Sequence, residues 1–293
     1  MTGVPFSSEA FASAVSRVAA YRNRPVVVKL GGSAMEDPAA TEACLKSVAC
    51  LNRIGVPIVL VHGGGKPIDR AMAEAGLTPK KVAGRRYTDA ATLEIVVRVL
   101  FEINSGLVTR LTTLGTNAVT PGSGPDFPLM GQRLTLPQPG AEPLDLGWVG
   151  AITQVDASRL TPIYTSPGVV PVVPSLARSA ESPSGWLNVN ADTAASAVAG
   201  ALKADRAIFL TDTPGVLRDR SKPESLIPKL TEPQCRELIA SGVIDGGMVP
   251  KVEACFEALE AGAKSALILD GRVPFSLLDV FLHDTFTGTE ITR

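Results

Sequence analysis

Apolar positions along the chain fall into short unbroken runs separated by longer amphipathic stretches. Residues 9–21 place Phe11, Val15, Val18 and Tyr21 three or four apart, which predicts a short helix ahead of the main fold. Pro25 to Leu30 is almost continuously apolar and closes on Gly31-Gly32. A helical stretch over 38–54 follows, and then a second run, Val56 to Val61, ends in His62-Gly63-Gly64-Gly65. Two strands buried on both faces around one helix predict a parallel sheet with a right-handed crossover.

The alternation continues with helices over 67–75 and 89–104, then an irregular Gly/Pro stretch over 121–143 that is expected to contain a hairpin. In the run from Val169 to Val173, Pro171 predicts a strand end or an edge position. Beyond it come a helix over 192–203, a strand over 207–211, a helix over 248–262, a strand over 266–269 and a short apolar segment over 275–281. The expected fold class is α/β, a three-layer αβα sandwich around a mostly parallel open sheet. Pro, Ser and Gly cluster near 175–187, marking a soft boundary between two lobes of one continuous sheet: an arm at 1–24, a lobe at 25–177 and a lobe at 178–293.

Composition narrows the function classes. The 293 residues carry 28 Lys+Arg against 29 Asp+Glu, with no sustained basic block, so no nucleic-acid partner is expected. No apolar run approaches the ~20 residues of a membrane helix, and Met1 to Ala20 lacks the charged and apolar regions of a signal peptide, so no membrane partner and a cytoplasmic location are expected. Charged residues make up 19%, below the roughly 25% of an average domain, which points to surface buried in a homo-oligomer. Cys44, Cys50, Cys235 and Cys255 form no C-x-x-C pair and read as reduced core thiols. With only His62 and His283 besides, no metal site is expected.

The chemistry concentrates at glycine turns. Lys29 stands in an apolar strand just before Gly31-Gly32, so its ammonium either snorkels to water or faces an anion. Gly63-Gly64-Gly65-Lys66-Pro67 repeats the device, and two such turns at the carboxyl ends of parallel strands would share one crevice. Neither G-x-x-x-x-G-K-[ST] nor G-x-G-x-x-G occurs, which removes support for a P-loop or a dinucleotide fold. Gly246-Gly247-Met248-Val249-Pro250-Lys251 puts Lys251 in the first turn of a helix, either as a tolerated exposed cation or beside an anion. Asn190 or Asp192 can cap the helix that follows them. Arg85-Arg86 with Thr88-Asp89 reads equally as a solvated pair before a cap or as a fork for a carboxylate, and His62 reads as structural.

Taken together these blocks, with Asp145-Leu146-Gly147-Trp148-Val149-Gly150, Asn188-Val189-Asn190-Ala191-Asp192 and Thr211-Asp212-Thr213-Pro214-Gly215-Val216, resemble the acetylglutamate kinases of the amino acid kinase family. They occur in the family's order over nearly the whole chain, which is far more specific than any one of them. The resemblance implies the amino acid kinase or carbamate kinase-like fold, with the acceptor amino acid on the first lobe and ATP on the second. It implies Lys29 and Lys251 as the cations on the transferring phosphoryl group, with Asp192 holding both. It implies Gly31 and Gly32 as phosphate donors, and Gly63, Gly64, Arg86 and Asn188 around N-acetyl-L-glutamate. Thr211, Asp212 and Gly215 would lie against the nucleotide, with Mg²⁺ accompanying ATP. A carboxylate acceptor is already ionised at pH 7, so charge neutralisation replaces a general base.

The resemblance leaves other readings open: a related kinase with another acceptor, such as a carrier-linked aminoadipate, or a non-catalytic arginine-sensing module. The N-terminal helix and Gly288-Thr289 resemble an arginine-inhibited hexameric branch, so a homodimer or hexamer and an arginine effector are implied. Phe275 and Phe286 depart from that branch's usual His and Gly, Tyr87 replaces a small aliphatic residue, and Thr120 to Leu134 lacks the usual acidic-glycine pair.

Overall fold

The computed structural model describes residues 7–82, 84–138, 140–283 and 285–293. The chain runs α1 (Ser8–Ala19), β1 (Val26–Leu30), α2 (Ser33–Glu36), α3 (Pro38–Arg53), β2 (Ile58–His62), α4 (Gly65–Glu74), β3 (Lys81–Val82), β4 (Arg85–Arg86), α5 (Ala90–Thr113) and β5 (Asn117–Val119). There follow β6 (Leu129–Gln138), β7 (Ala141–Val155), α6 (Ala157–Tyr164), β8 (Val169–Pro174), β9 (Leu176–Arg178), β10 (Trp186–Asn188), α7 (Ala191–Ala201) and β11 (Arg206–Thr211). The last part is β12 (Lys229–Thr231), α8 (Glu232–Ala240), α9 (Val249–Ala261), β13 (Ser265–Asp270), α10 (Ser276–Leu282) and β14 (Thr289–Thr292).

Eight strands form one sheet in the order β12-β14-β13-β11-β1-β2-β8-β5. Every pairing in it is parallel except β13 with β14. The unbroken apolar runs are explained by two cores, one on each face. Val27, Val59, Val61 and Phe209 meet α4, α5, α7 and α9 on one side, whereas Val28, Leu30, Leu60 and Leu210 meet α3, α10 and the end of α1 on the other. This is the αβα sandwich expected from the pattern.

Two local expectations are corrected. Pro171 lies inside β8, between β2 and β5, and not on an edge. It is tolerated where the strand changes partner, because pairing with β5 ends at Val119↔Pro171 and pairing with β2 begins at Leu60↔Val172. In the stretch near 175–187, β9 and β10 pair antiparallel and close a small barrel with β6 and β7. Cys50 is exposed, while Cys44, Cys235 and Cys255 are buried and free, with burial pushing the Cys44 thiol up to about 12 and the Cys235 thiol up to about 11.

Candidate active site

The carboxyl ends of β1, β2, β8, β11 and β13 open on one edge of the sheet, where an α/β protein gathers its ligands. Lys29, the fourth residue of β1, is only 9% exposed and so needs a counter-charge. Its Nζ lies 2.9 Å from Asp192 Oδ1 at the start of α7. The ammonium folds back over Gly31, where a Cβ would stand 2.9 Å from Lys29 Nζ, so a larger residue would displace the cation. Gly32 follows at φ 58°, a left-handed turn that frees the chain to enter α2.

The two candidate caps of α7 divide the work. Asn190 is the cap, its Oδ1 accepting from the backbone N–H of Asp192 at 2.8 Å and of Thr193 at 3.2 Å. Asp192 is thereby released to hold Lys29. Asp89 likewise caps α5, accepting from Thr92 N at 2.8 Å, so the arginines before it are free for other partners.

A cavity of about 290 Å³ is lined by Lys29, Gly31, Gly32, Gly63, Gly64, Arg86, Asn188 and Asp192, and reaches Lys81, Ser175 and Val149. Within it Arg86 is not a solvated side chain: Nη1 donates to Asp69 Oδ1 at 2.5 Å and Nη2 to the Gly65 carbonyl at 3.1 Å. Asn188 donates through Nδ2 to Thr88 Oγ1 at 3.0 Å, and Thr88 in turn donates to the Arg86 carbonyl at 3.1 Å. Asp69 goes unmarked by the sequence pattern, and Thr88 stands out there only beside Asp89 as part of a helix start. Each is a common polar residue at a helix or loop position, and only the three-dimensional contact shows its use.

A second cavity, about 430 Å³, is walled by Asp212, Gly215 and Leu217 on one side and by Val243, Met248 and Lys251 on the other. Lys251 Nζ is 3.4 Å from Asp212 Oδ1 and 3.3 Å from the Gly247 carbonyl. Two details differ from the sequence expectation. Among the described residues Asp192 pairs with Lys29 and not with Lys251, which rises from the first turn of α9 and meets Asp212 at the end of β11. Thr211 is buried beneath the cavity, its hydroxyl 3.1 Å from the Thr213 carbonyl, and shapes the turn without lining the space.

The two lysines nonetheless belong to one edge. Helices α7 and α9 run side by side in the same direction: Ser196 Oγ donates to the Ala254 carbonyl at 2.7 Å, and Gly200 is pressed against Ala261 further on. Their N-terminal turns, carrying Asp192 and Lys251, therefore lie together. Among the described residues no three His, Cys, Asp or Glu side chains gather into a metal-holding group. What the edge offers is two ammonium groups, each beside one carboxylate, and glycine backbone at two turns. That set is suited to neutralising a highly charged anion held along this edge.

A phosphotransfer fold is what these features describe, and the chain belongs to the amino acid kinase family, whose sequence pattern matches residues 24–270. Within the family it is similar to two proteins named acetylglutamate kinase. The one from Synechococcus elongatus is 40% identical over 272 residues, 92% of this chain and 87% of that protein. The one from Pelotomaculum thermopropionicum is 39% identical over 279 residues, 93% of each. Solved structures agree on the fold. Carbamate kinase from Giardia lamblia bound to AMP-PNP matches with a TM-score of 0.64 at 18% identity, covering 92% of this chain and 98% of that one. N-acetylglutamate synthase from Neisseria gonorrhoeae complexed with coenzyme A and N-acetyl-glutamate matches with a TM-score of 0.79 at 22% identity; 97% of this chain is covered, and it spans 63% of the synthase.

Proposed function

We propose that the protein transfers the γ-phosphoryl group of ATP to the side-chain carboxylate of N-acetyl-L-glutamate, giving N-acetyl-L-glutamyl 5-phosphate and ADP, the second step of arginine biosynthesis. The observation that carries this reading is the buried Lys29–Asp192 pair at the cavity that also holds Arg86 and Asn188. Relatives named for the activity support it over more than nine-tenths of the chain.

Residues of the first lobe, with Asn188 at the end of β10, bind the acceptor. Arg86 and Asn188 take its α-carboxylate side, and Gly63 and Gly64 border the reacting end. Residues of the second lobe, Asp212 and Gly215 with Lys251, face the nucleotide. A side-chain carboxylate oxygen attacks the γ-phosphorus while the bond to the ADP oxygen breaks, so no proton has to be removed. Lys29 and Lys251 hold charge on the migrating group, and Asp192 fixes Lys29 without accepting a proton. The donor set fits Mg²⁺ carried mainly by the nucleotide's own phosphates, as that ion prefers, and the ion would supply further neutralisation of their charge. A cytoplasmic homodimer or hexamer completes the reading.

The test is trapping of acyl phosphate by hydroxylamine with MgATP and a panel of acceptors: N-acetyl-L-glutamate, aspartate, carbamate and an aminoadipate-bearing carrier. Hydroxamate from N-acetyl-L-glutamate alone is expected, and Lys29→Ala should lower kcat at least ~100-fold, the usual worth of one preorganised donor. A different preferred acceptor, or near-normal turnover by Lys29→Ala, overturns the assignment. L-Arginine belongs in the same assay. A surface cavity of about 290 Å³ beside α1 is lined by Tyr21, Arg206, Phe281 and Glu290, and rates that stay flat up to millimolar L-arginine remove it as an effector.

A further inference from the structure

We infer that Asp69 is a positioning residue that sets acceptor affinity by holding Arg86 in its binding rotamer. The inference rests on the acceptor reading above. Asp69 stands on α4, one turn beyond the Gly63-Gly64-Gly65 turn, and does not itself line the acceptor cavity. Arg86, on β4, does. Its side chain is 13% exposed and, among the described residues, its guanidinium is held from one direction only, by α4: Nη1 reaches Asp69 Oδ1 at 2.5 Å and Met72 Sδ at 3.2 Å, and Nη2 reaches the Gly65 carbonyl at 3.1 Å. A guanidinium has five N–H donors in a rigid fork. Three engaged on the α4 side leave two, including Nε–H, for a carboxylate in the cavity.

Two opposing effects follow from an aspartate in this place. Its charge repels an incoming carboxylate, and its hydrogen bond freezes a long side chain that would otherwise lose its freedom on binding. The surroundings decide between them. The Asp69 carboxylate is 39% exposed, so water screens its charge, whereas the Arg86 guanidinium is nearly enclosed and would be left poorly paired without it. Preorganisation therefore outweighs repulsion. The same first turn of α4 also meets α2, where Lys66 Nζ donates to Glu36 Oε2 at 2.5 Å.

Steady-state kinetics of Asp69→Asn and Asp69→Glu against the unaltered protein test this. Asp69→Asn is expected to raise KM for N-acetyl-L-glutamate at least ~10-fold while KM for MgATP moves less than ~3-fold, and calorimetric titration of N-acetyl-L-glutamate without nucleotide should show the same weakening. Asp69→Glu, which keeps the charge, is expected to recover part of the loss. Equal shifts in both KM values, or an acceptor KM that is unchanged or lower in Asp69→Asn, overturns the inference. Failure of the acceptor reading shows differently, as absence of N-acetyl-L-glutamate turnover in the unaltered protein.

Discussion

A histidine beside three glycines at a ligand-binding edge looks like a proton carrier, and its surroundings take that role away. His62 is fully buried at the end of β2, with Nδ1 3.1 Å from the Gly63 carbonyl and Nε2 3.1 Å from Asn104 Nδ2. Only one tautomer satisfies both neighbours: Nδ1–H donates to the carbonyl and bare Nε2 accepts from the amide. Asn104 cannot turn to suit a second proton, because its Nδ2 also donates to the Val172 carbonyl at 2.8 Å and its Oδ1 accepts from Thr120. Burial lowers the imidazole from its ordinary 6.5 to about 4, although the Gly63 contact opposes this. Above pH 6.5 the ring is neutral folded and unfolded, and stability owes nothing to it. As pH falls from 6.5 towards 4, the unfolded chain takes up a proton that the folded chain refuses, so stability drops, by about 3 kcal/mol over the window. Urea unfolding at steps from pH 7.5 to 4.5 should show that decline, and His62→Gln should show a shallower one from a lower starting point. Parallel declines in both proteins would place the titration elsewhere.

At the scale of elements, the close contact of α7 with α9 is what brings Lys251 to the edge where Asp192 stands. A Cβ at Gly200 would collide with the Ala261 Cβ and stand 3.0 Å from its backbone carbonyl. Gly200→Ala therefore has to push α9 away, at a cost of about 1–3 kcal/mol for overpacking. A thermal midpoint lower by at least ~3 °C is expected together with a reduced kcat, since the displaced helix carries Lys251 in its first turn. An unchanged midpoint by calorimetry would show that the helices have slack. The elements that were legible in the sequence are those fixed by local pattern: β1 and β2 by runs buried on both faces, α7 by a cap at Asn190 or Asp192, of which Asn190 is the one used. Helix α5 was expected to stop at 104 and runs to Thr113, because Leu107 and Leu111 continue the stripe of Leu100 and Asn104 past Ser105-Gly106. A hairpin was expected within 121–143 and forms as β6 and β7, but its closure into a barrel with β9 and β10 escaped notice for a different reason. Its strands are short or half-exposed, and their pairing joins positions such as Met130 and Arg178 that no local periodicity links. The site divides the same way. Lys29 and Lys251 betray themselves as charges in awkward places, Asp192 reads locally as a cap and gains its role only through the resemblance, and Asp69 matters only through the arginine it holds.

For the whole molecule, α1 is the part whose position the central fold does not require. Its inner side is anchored: Val18 is buried, and the following Tyr21 meets the Phe281 ring edge-on at 4.9 Å between centroids. Arg206 adds a cation over the same tyrosine at 5.1 Å. Its outer side keeps Val15 49% and Phe11 60% exposed, an unusual place for apolar residues in a chain that already carries few charges. Covering that side with a second copy removes it from water, and a helix so anchored presents it as a rigid ridge. The expected mass by light scattering is a multiple of 30.5 kDa, and Val15→Asp should lower it, because a charge buried at an unprepared contact is costly. Turnover per chain should survive, since no residue of α1 lines either cavity. A monomeric unaltered protein, or a variant of unchanged mass, would leave α1 as a strut against α10 and remove it from assembly. A smaller, fully active species would separate the two tasks of the chain, with the sheet edge doing the chemistry and the arm setting the number of copies.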